Sequence, residues 1–264
     1  MRIHHLNCAT LCPLAVPEMV CHCLLVETGS ELALIDAGFG TGDVDRTRER
    51  LGSLLPRLLR PRLERSETAI EQVRRLGFDP KDVRHVILTH LDVDHVGGVS
   101  DFPWARVHVT RDEFQGAFES SSAAERARFK RVAWARDLTF SSYAPSGEPW
   151  FGFQCVRELE GLPAELLLVP LPGHTRGHAG VAVQLADRWL LHCGDGYFYH
   201  AEMQVEPRRP WALALFQRFC VDDATRRSNQ ERLRRLVQSH GDEVEVFCAH
   251  DLHEYERALE RAAG

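Results

Sequence analysis

The segment 89–98, which reads THLDVDHVGG, holds four side chains that can bind a metal ion. These side chains are His90, Asp92, Asp94 and His95. Imidazole and carboxylate groups are the ligands that zinc and neighbouring divalent metals accept. Burying four such groups together without a partner would be costly in free energy. The segment therefore indicates a metal site that activates water, rather than a solvated polar loop.

Three later segments share one design, in which a polar side chain closely follows an apolar run. The side chains are His174, Asp195 and His250. The end of a strand is a rigid support that can hold a ligand within the tolerance of a metal site. The complete set of predicted metal ligands is His90, Asp92, Asp94, His95, His174, Asp195 and His250.

Apolar and β-branched runs predict the strands that would carry these ligands. The predicted strands span about 19–28, 32–35, 83–88, 106–110, 153–156, 166–169, 179–185, 189–193 and 244–248. Helical spacing of apolar residues predicts surface helices around them. The predicted helical segments span about 41–65, 66–76, 111–137, 211–220, 229–239 and the residues from 252 onward.

No change in composition divides the chain, so we expect a single domain over residues 1–264. The segment 111–150 interrupts the strand pattern and is rich in aromatic residues, which predicts a helical and aromatic insertion. Such an insertion forms either a lid or wall of the site or a contact with a second subunit. The sequence favours neither, and a homodimer stays open.

The composition argues against several classes of partner. The chain has 32 basic and 38 acidic residues, a net charge of −6, and its basic residues are spread out. A nucleic-acid partner requires a concentrated cationic face, so none is expected. No apolar run reaches the length of a membrane span, and the N-terminus lacks the apolar core of a signal peptide. We therefore expect no membrane partner, a cytoplasmic location and a small-molecule substrate.

The eight cysteines are scattered along the chain and are expected to be reduced thiols. Cys21, His22 and Cys23 have the residue types of a metal motif, but they lie in a predicted strand. Side chains of a strand alternate between its two faces, so these three are not expected to bind one ion.

The motifs, taken in order, resemble those of the metallo-β-lactamase superfamily. The similar features are the D-A-G turn at 36–38, the H-x-H-x-D-H-like run at 90–95, the G-H-T-x-G-H segment at 173–178, the G-D pair at 194–195 and the late His250. The resemblance covers about 21 to 251. It implies an α/β fold, a four-layer αβ/βα sandwich, with a two-metal site at one edge.

The resemblance also implies a role for each ligand. The implied ligands are His90 and His174 for the first metal, Asp94, His95 and His250 for the second, and Asp195 as a bridge. Asp92 stands where the family usually has a second histidine, and its spacing aims it to the same side as His90. Oxygen ligation makes manganese or iron an alternative to zinc, which is the expected metal. Asp36 is expected to orient ligands by hydrogen bonds.

With two ions bound, a bridging hydroxide would attack the carbonyl of an ester, lactone or thioester. Asp94 would orient the hydroxide and pass a proton to the leaving group. The motifs are most similar in style to those of quorum-quenching N-acyl homoserine lactonases, which use a tyrosine three residues after the bridging aspartate. That position is Phe198 here, so Tyr197 and Tyr199 are the candidate catalytic tyrosines.

Two other functions stay open. One is a non-haem iron oxidoreductase of the same fold, because flavodiiron proteins have a carboxylate at the position of Asp92. The other, which the net charge disfavours, is a nuclease. Two smaller expectations complete the analysis: Gly97 and Gly98 let the backbone turn away from the site, and His178 forms a local hydrogen bond.

Overall fold

The apolar runs of the sequence form strands in the computed structural model, which describes residues 1–29, 31–144, 147–156 and 159–263. Within these ranges the chain forms twelve strands. They are β1 (Arg2–Leu11), β2 (Met19–Glu27), β3 (Leu32–Ile35), β4 (Val83–Ile87), β5 (Arg106–Thr110), β6 (Thr139–Tyr143), β7 (Glu148–Trp150), β8 (Phe153–Cys155), β9 (Leu166–Pro170), β10 (Ala179–Gln184), β11 (Trp189–His192) and β12 (Val244–Phe247).

The same ranges contain ten α-helices, many of them only one or two turns long. They are α1 (Thr41–Asp45), α2 (Thr47–Arg50), α3 (Leu55–Leu59), α4 (Ala69–Arg75), α5 (Val93–Val96), α6 (Arg111–Phe118), α7 (Ala123–Phe129), α8 (Leu213–Phe216), α9 (Asp223–His240) and α10 (Leu252–Ala263). Short 3-10 helices lie between them, at Arg65–Glu67, Pro80–Asp82, Gly97–Asp101, Lys130–Asp137, Gly194–Gly196, His200–Met203 and Gln217–Phe219.

The described strands form two main sheets and one hairpin. The first sheet has the order β1-β2-β3-β4-β5-β6, and its first three strands are antiparallel. Strands β3 to β6 are parallel, so each pair is joined by a crossover that carries helices. The second sheet has the order β12-β11-β10-β9, and β7 pairs with β8. The predicted ligands follow β4, β9, β11 and β12, which brings them to one edge of the sheets.

The two sheets pack face to face through an apolar core. Leu24, Ile35 and Ile87 of the first sheet share a buried cluster with Leu168 and Val181 of the second. Helix α4 packs against the outer face of the first sheet, and α9 packs against the outer face of the second. The order of layers is therefore helix, sheet, sheet, helix. The predicted α/β class and the four-layer αβ/βα sandwich are confirmed.

The first quarter of the chain differs from the predicted helices. The segment 41–65, predicted as one surface helix, forms the three short helices α1, α2 and α3. Gly52 between α2 and α3 has a φ of +72°, and Arg60 after α3 has a φ of +48°. A continuous right-handed helix cannot contain such residues. The next helix begins after Thr68 rather than after Ser66.

Two further elements extend the sequence analysis. Strand β1 was not predicted, because its polar residues interrupt the apolar pattern, and it is held by pairing with β2 along most of its length. The segment 111–150 contains helices, as predicted, but its β6 returns to the first sheet as the edge strand next to β5.

Strand β2 shows the predicted alternation of its side chains. Cys21 and Cys23 lie in the buried cluster on the helix-covered side of the first sheet. His22 lies on the other side, where its ring centroid is 4.4 Å from that of Phe247. Among the described helices, none combines the length and the apolar composition required to cross a membrane.

Candidate metal centre

The structure brings the predicted ligands together at one edge of the two sheets. We call Asp94, His95, Asp195 and His250 the second position. Asp195 Oδ1 lies 3.2 Å from His95 Nε2 and 3.1 Å from His250 Nε2. Asp94 Oδ2 lies 3.6 Å from the same His250 nitrogen. The ligand atoms of His95, Asp195 and His250 therefore face one point, and Asp94 lies beside His250.

The other predicted ligands form a neighbouring group on the far side of Asp195. We call His90, Asp92, His174 and Asp195 the first position. Asp195 Oδ2 lies 3.2 Å from His174 Nε2 and 3.8 Å from His90 Nε2. Asp92 Oδ2 lies 3.1 Å from His174 Nε2 and 3.4 Å from His90 Nε2. Asp195 thus has one oxygen toward each position, as a bridging ligand requires.

Two features of these residues fit a metal ion. Several of their buried polar atoms have no hydrogen-bond partner, and their imidazole rings are held in a fixed orientation. The Nε2 atoms of His90 and His95 and the Oδ1 atom of Asp195 are buried and have no hydrogen-bond partner. The opposite ring nitrogens are held: His250 Nδ1 lies 2.8 Å from the Val20 carbonyl, and His90 Nδ1 lies 3.0 Å from the Thr89 hydroxyl. A bond at one ring nitrogen that directs the other inward is typical of metal-binding histidines.

Asp36 orients this group, as predicted. It follows β3 with a φ of +54° and is almost completely buried. Its carboxylate accepts hydrogen bonds from the Thr89 backbone and hydroxyl, both at 2.8 Å, and pairs with His95 Nδ1 at 2.8 Å. Burial alone would raise the pKa of Asp36, but attraction to His95 outweighs it and lowers the pKa to about 2. A charged carboxylate therefore fixes the ring of His95, one of the predicted ligands.

The histidines of the site have displaced pKa values. Burial would lower the pKa of His95 and of His250, but the charge of Asp195 raises both above the ordinary value. Burial, together with the nearby His95, lowers the pKa of His90 to about 4.

Glu113 is a buried residue of the site that the sequence analysis missed. It lies in the first turn of α6 and accepts hydrogen bonds from the Leu91 N–H at 2.9 Å and the Thr175 hydroxyl at 2.6 Å. A third comes from the Gly177 N–H at 3.1 Å. Burial raises the pKa of Glu113 to about 7. The side chain joins the loop after β4 to the loop after β9, which carry ligands of the first position.

The glycines of the motifs are required by close packing. A Cβ atom at Gly98 would collide with the Ala37 carbonyl, and one at Gly177 would collide with the backbone of Glu113. Gly97 has a φ of −52°, which any residue adopts. Glycine is needed there because a Cβ atom would collide with the 36–38 turn, which lies in close contact. The expectation that Gly97 and Gly98 let the backbone turn away from the site stays a prediction, and the structure adds that both positions are closely packed. The predicted local bond of His178 is confirmed: its Nδ1 lies 3.0 Å from the Leu171 carbonyl.

Arg128 of α7 is a second site residue that the sequence analysis missed. Its Nε donates to Asp92 Oδ1 at 2.8 Å, and its Nη2 contacts both Asp92 Oδ2 and His174 Nε2, the latter at 2.9 Å. Burial would raise the pKa of Asp92, but the guanidinium outweighs it and holds that pKa well below the usual range. The sequence does contain one signal for this contact. A buried carboxylate in the place of a neutral histidine needs a nearby cation to compensate its charge.

Cys21 is a third missed residue. Its thiol lies beside the second position, with Sγ, an Asp94 oxygen and a His250 nitrogen all within 4.8 Å of one another. Burial raises the pKa of this thiol to about 12. His22 and Cys23 do not share this group, so the predicted separation of the three residues holds.

Of the two candidate tyrosines, Tyr197 points away from the ligands. Tyr197 has no exposed surface, and its hydroxyl donates to Glu254 at 2.8 Å. It belongs to the buried cluster between the second sheet and α9. Tyr199 packs against the buried cluster on the helix-covered side of the first sheet. The backbone at Tyr197 is extended, so the next side chain, Phe198, points the opposite way and stacks on His250 at 5.6 Å. The predicted catalytic role of Tyr197 is therefore corrected, and that of Tyr199 stays a prediction.

A cavity of about 760 Å³ opens over both positions. Its floor contains Asp92, Asp94, His174, Asp195 and His250. Its walls are mostly apolar and come from α3, α7, α8 and the residues that follow α8. The apolar wall residues are Leu11, Met19, Leu54, Leu55, Leu58, Leu59, Val93, Ala124, Phe198, Phe216, Phe219 and Val221. Helix α7 of the predicted insertion thus forms part of a pocket wall.

Comparisons with known proteins find a family and relatives for this chain. A family model described as the metallo-beta-lactamase superfamily matches residues 16–250. A probable metallo-hydrolase from Mycobacterium tuberculosis is 40% identical over 263 residues, which is 99% of this chain and 84% of that protein. The N-acyl homoserine lactonase AttM from Agrobacterium fabrum is 41% identical over 191 residues, which is 72% of this chain and 66% of that protein.

A solved structure shows the same fold. An N-acyl homoserine lactone hydrolase with the product N-hexanoyl-L-homoserine bound at its catalytic metal centre aligns with a TM-score of 0.70. The alignment covers 97% of this chain and 95% of that chain at 18% identity.

Proposed function

This chain belongs to the metallo-β-lactamase superfamily and is a metallo-hydrolase, and we propose that it cleaves a carbonyl ester, lactone or thioester of a small molecule. The observation that carries the proposal is the pairing of a polar, metal-binding floor with an apolar wall in one cavity. Such a cavity suits a substrate with a polar reactive group and an apolar chain.

Superfamily membership implies divalent metal ions, and we propose two ions, with zinc expected and manganese or iron as alternatives. His90, Asp92 and His174 would hold one ion, and Asp94, His95 and His250 would hold the other. Asp195 would contact both. When bound, the ions would supply a water of lowered pKa and would polarise the carbonyl group.

The chain itself provides the remaining parts of the reaction. Asp94 is half-buried and faces the cavity, where it can orient a water and carry its proton toward the leaving group. Phe198 stacks on His250 and would shield that side of the floor from bulk water. Leu54 and Leu58 of the wall would bind the apolar chain of the substrate.

A lactone with an apolar acyl chain is the preferred substrate class within this proposal. AttM, a relative named as an N-acyl homoserine lactonase, supports the lactone, and the length of the apolar wall supports the acyl chain. Because Phe198 replaces the tyrosine of those lactonases, a hydroxyl at that position is not part of the proposed chemistry.

The test combines a substrate panel with removal and return of metal. Protein purified without chelators is assayed on lactones and thioesters with short and long acyl chains, and the products are identified by mass spectrometry. We expect turnover that disappears with a chelator, returns with zinc or manganese, and favours long chains.

Three results would contradict the proposal. Activity that never returns with metal would remove the hydrolase role. Stoichiometric iron with a visible absorption band and no hydrolysis would favour the oxidoreductase, and salt-dependent binding of RNA would favour the nuclease.

A further inference from the structure

Arg128 lies across the first position, where it occupies the atoms that an ion would use. Its guanidinium forms a two-point contact with the carboxylate of Asp92. One of its nitrogens, Nη2, also lies 2.9 Å from His174 Nε2. Two of the four groups at this position are therefore bound to a cation that belongs to the chain.

The contact with His174 excludes simultaneous binding of a metal ion to that histidine. A neutral imidazole nitrogen has one lone pair, which accepts either a hydrogen bond or a metal ion. His174 Nε2 accepts from Arg128 Nη2 at 2.9 Å when the ring carries its proton on Nδ1, and it donates to Asp92 Oδ2 at 3.1 Å in the other tautomer, so in both cases this nitrogen is engaged. An ion in the first position requires the guanidinium to withdraw and to break charge-assisted hydrogen bonds.

Among the described residues, no arginine or lysine side chain forms an ion pair with the carboxylates of the second position. In the part of the chain that the structure describes, the ion pairs of Asp94 and Asp195 involve histidines alone. His95 Nε2 and Asp195 Oδ1 have no hydrogen-bond partner. An ion can bind here without displacing an arginine or lysine side chain.

Arg128 has both a support and a space to move into. Its Nη1 donates to the Phe219 carbonyl at 2.6 Å, so the side chain connects α7 to the opposite wall of the cavity. Arg128 also lines the cavity itself. Withdrawal from Asp92 and His174 therefore does not require the core to open.

We propose that Arg128 competes with metal for the first position, so that the two positions fill in a fixed order. The second position, with Asp94, His95, Asp195 and His250, fills first. The first position fills only when Arg128 leaves His174, and its ion is bound more weakly. The inference rests on the proposed function, because it assumes that the cluster binds metal.

The test measures metal binding rather than turnover. Metal-free protein is titrated with zinc in the presence of a competing chelator, and native mass spectrometry counts the ions bound. We expect a second dissociation constant at least roughly tenfold above the first, because charge-assisted hydrogen bonds must break. In Arg128→Gln, the second constant should fall by at least roughly tenfold while the first changes little.

Matched variants identify the position and control for folding. Arg126→Gln removes an exposed arginine of the same helix, which contacts the carbonyls of 120 and 121, and should bind zinc like the native chain. Asp92→Asn should weaken only the ion that binds second, which lies at the first position. Asp94→Asn should weaken only the ion that binds first, which lies at the second position. Arg128→Lys retains the charge but not the two-point contact, so its second constant should be intermediate. Circular dichroism establishes that each variant is folded.

Each result has one meaning for the proposal. Two ions bound with equal constants in the native chain, unchanged in Arg128→Gln, would overturn it and leave the hydrolase proposal intact. A weaker second ion in Arg128→Gln would also overturn it, because Arg128 would then orient Asp92 as a ligand. A native chain that binds no ion would overturn both proposals.

Discussion

The floor and the wall of the cavity are held in place by different means. Floor residues follow strands of the two sheets, and buried groups such as Asp36 and Glu113 hold them by several hydrogen bonds each. Wall residues lie on short helices and loops, and Leu54, Leu58 and Phe219 are 59%, 47% and 67% exposed. A rigid floor keeps the reactive geometry, whereas a wall with few anchors adapts to different substrates. The residues proposed to carry out the reaction and those proposed to select the substrate thus lie on separate elements.

The largest expected effect is on the floor, at Glu113. Glu113→Ala leaves three donors, on Leu91, Thr175 and Gly177, without a buried acceptor. The free energy of unfolding should fall by roughly 3 kcal/mol, as measured by urea denaturation. Glu113→Gln retains one acceptor oxygen and should lose about half as much. A loss below about 1 kcal/mol in the alanine variant would show that the floor is not held by this residue.

Asp36 tests whether the floor controls metal affinity. Asp36→Ala should weaken zinc binding by roughly 10- to 100-fold, because His95 loses the carboxylate that fixes its ring. Asp101→Ala is the matched control: Asp101 accepts hydrogen bonds from the Thr41 backbone and hydroxyl, and its hydrogen bonds within the described residues do not involve the predicted ligands. Chelator competition measures both affinities. Equal losses in the two variants would mean that the effect comes from general destabilisation.

Leu58 tests the wall. Leu58→Ser should lower kcat/KM for a long-chain lactone by roughly tenfold, the value of one lost apolar contact, and should leave a short-chain lactone unchanged. Leu14→Ser is the control, because Leu14 is 73% exposed and lies outside the cavity. Equal losses for both chain lengths would mean that Leu58 supports the floor and does not select the substrate.

Phe198 lies at the boundary of floor and wall, and the smallest effect is expected there. Phe198→Tyr adds a hydrogen-bond donor near His250 and should raise kcat for a lactone by roughly threefold. Tyr197→Phe removes a hydroxyl that donates to Glu254 and should lower thermal stability without changing kcat. Steady-state kinetics of both variants would contradict this assignment if Tyr197→Phe were the one that changed kcat.

The grouping of the seven candidate ligands could be predicted because each of these residues has a local signal. His174, Asp195 and His250 follow strands whose apolar runs are visible in the sequence, and His90 begins a recognisable motif. Partners from distant segments have no such signal. Arg128 lies 36 positions after Asp92, and Glu113 lies 22 positions after Leu91. The packing of α6 and α7 on the site determines both contacts, and periodicity does not describe that packing.

Periodicity also does not distinguish a core from a cavity. The leucines of 41–65 have helical spacing, which predicted one helix packed on the protein. They lie instead on separate short turns, where Leu54 and Leu58 face the cavity. Likewise, the positions of Tyr197 and Tyr199 were known, but the direction of each side chain depends on the backbone after the Gly194–Gly196 turn.

The ion pair between Arg128 and Asp92 also affects the order of events in maturation. Four carboxylates, Asp36, Asp92, Asp94 and Asp195, meet at this edge of the protein, and an uncompensated buried charge opposes folding. Some metalloproteins fold only when their ion is present. Here the polypeptide supplies a counter-charge of its own, so we expect the newly made chain to fold before it encounters metal. Loading would then take place on a finished protein, through the open mouth of the cavity.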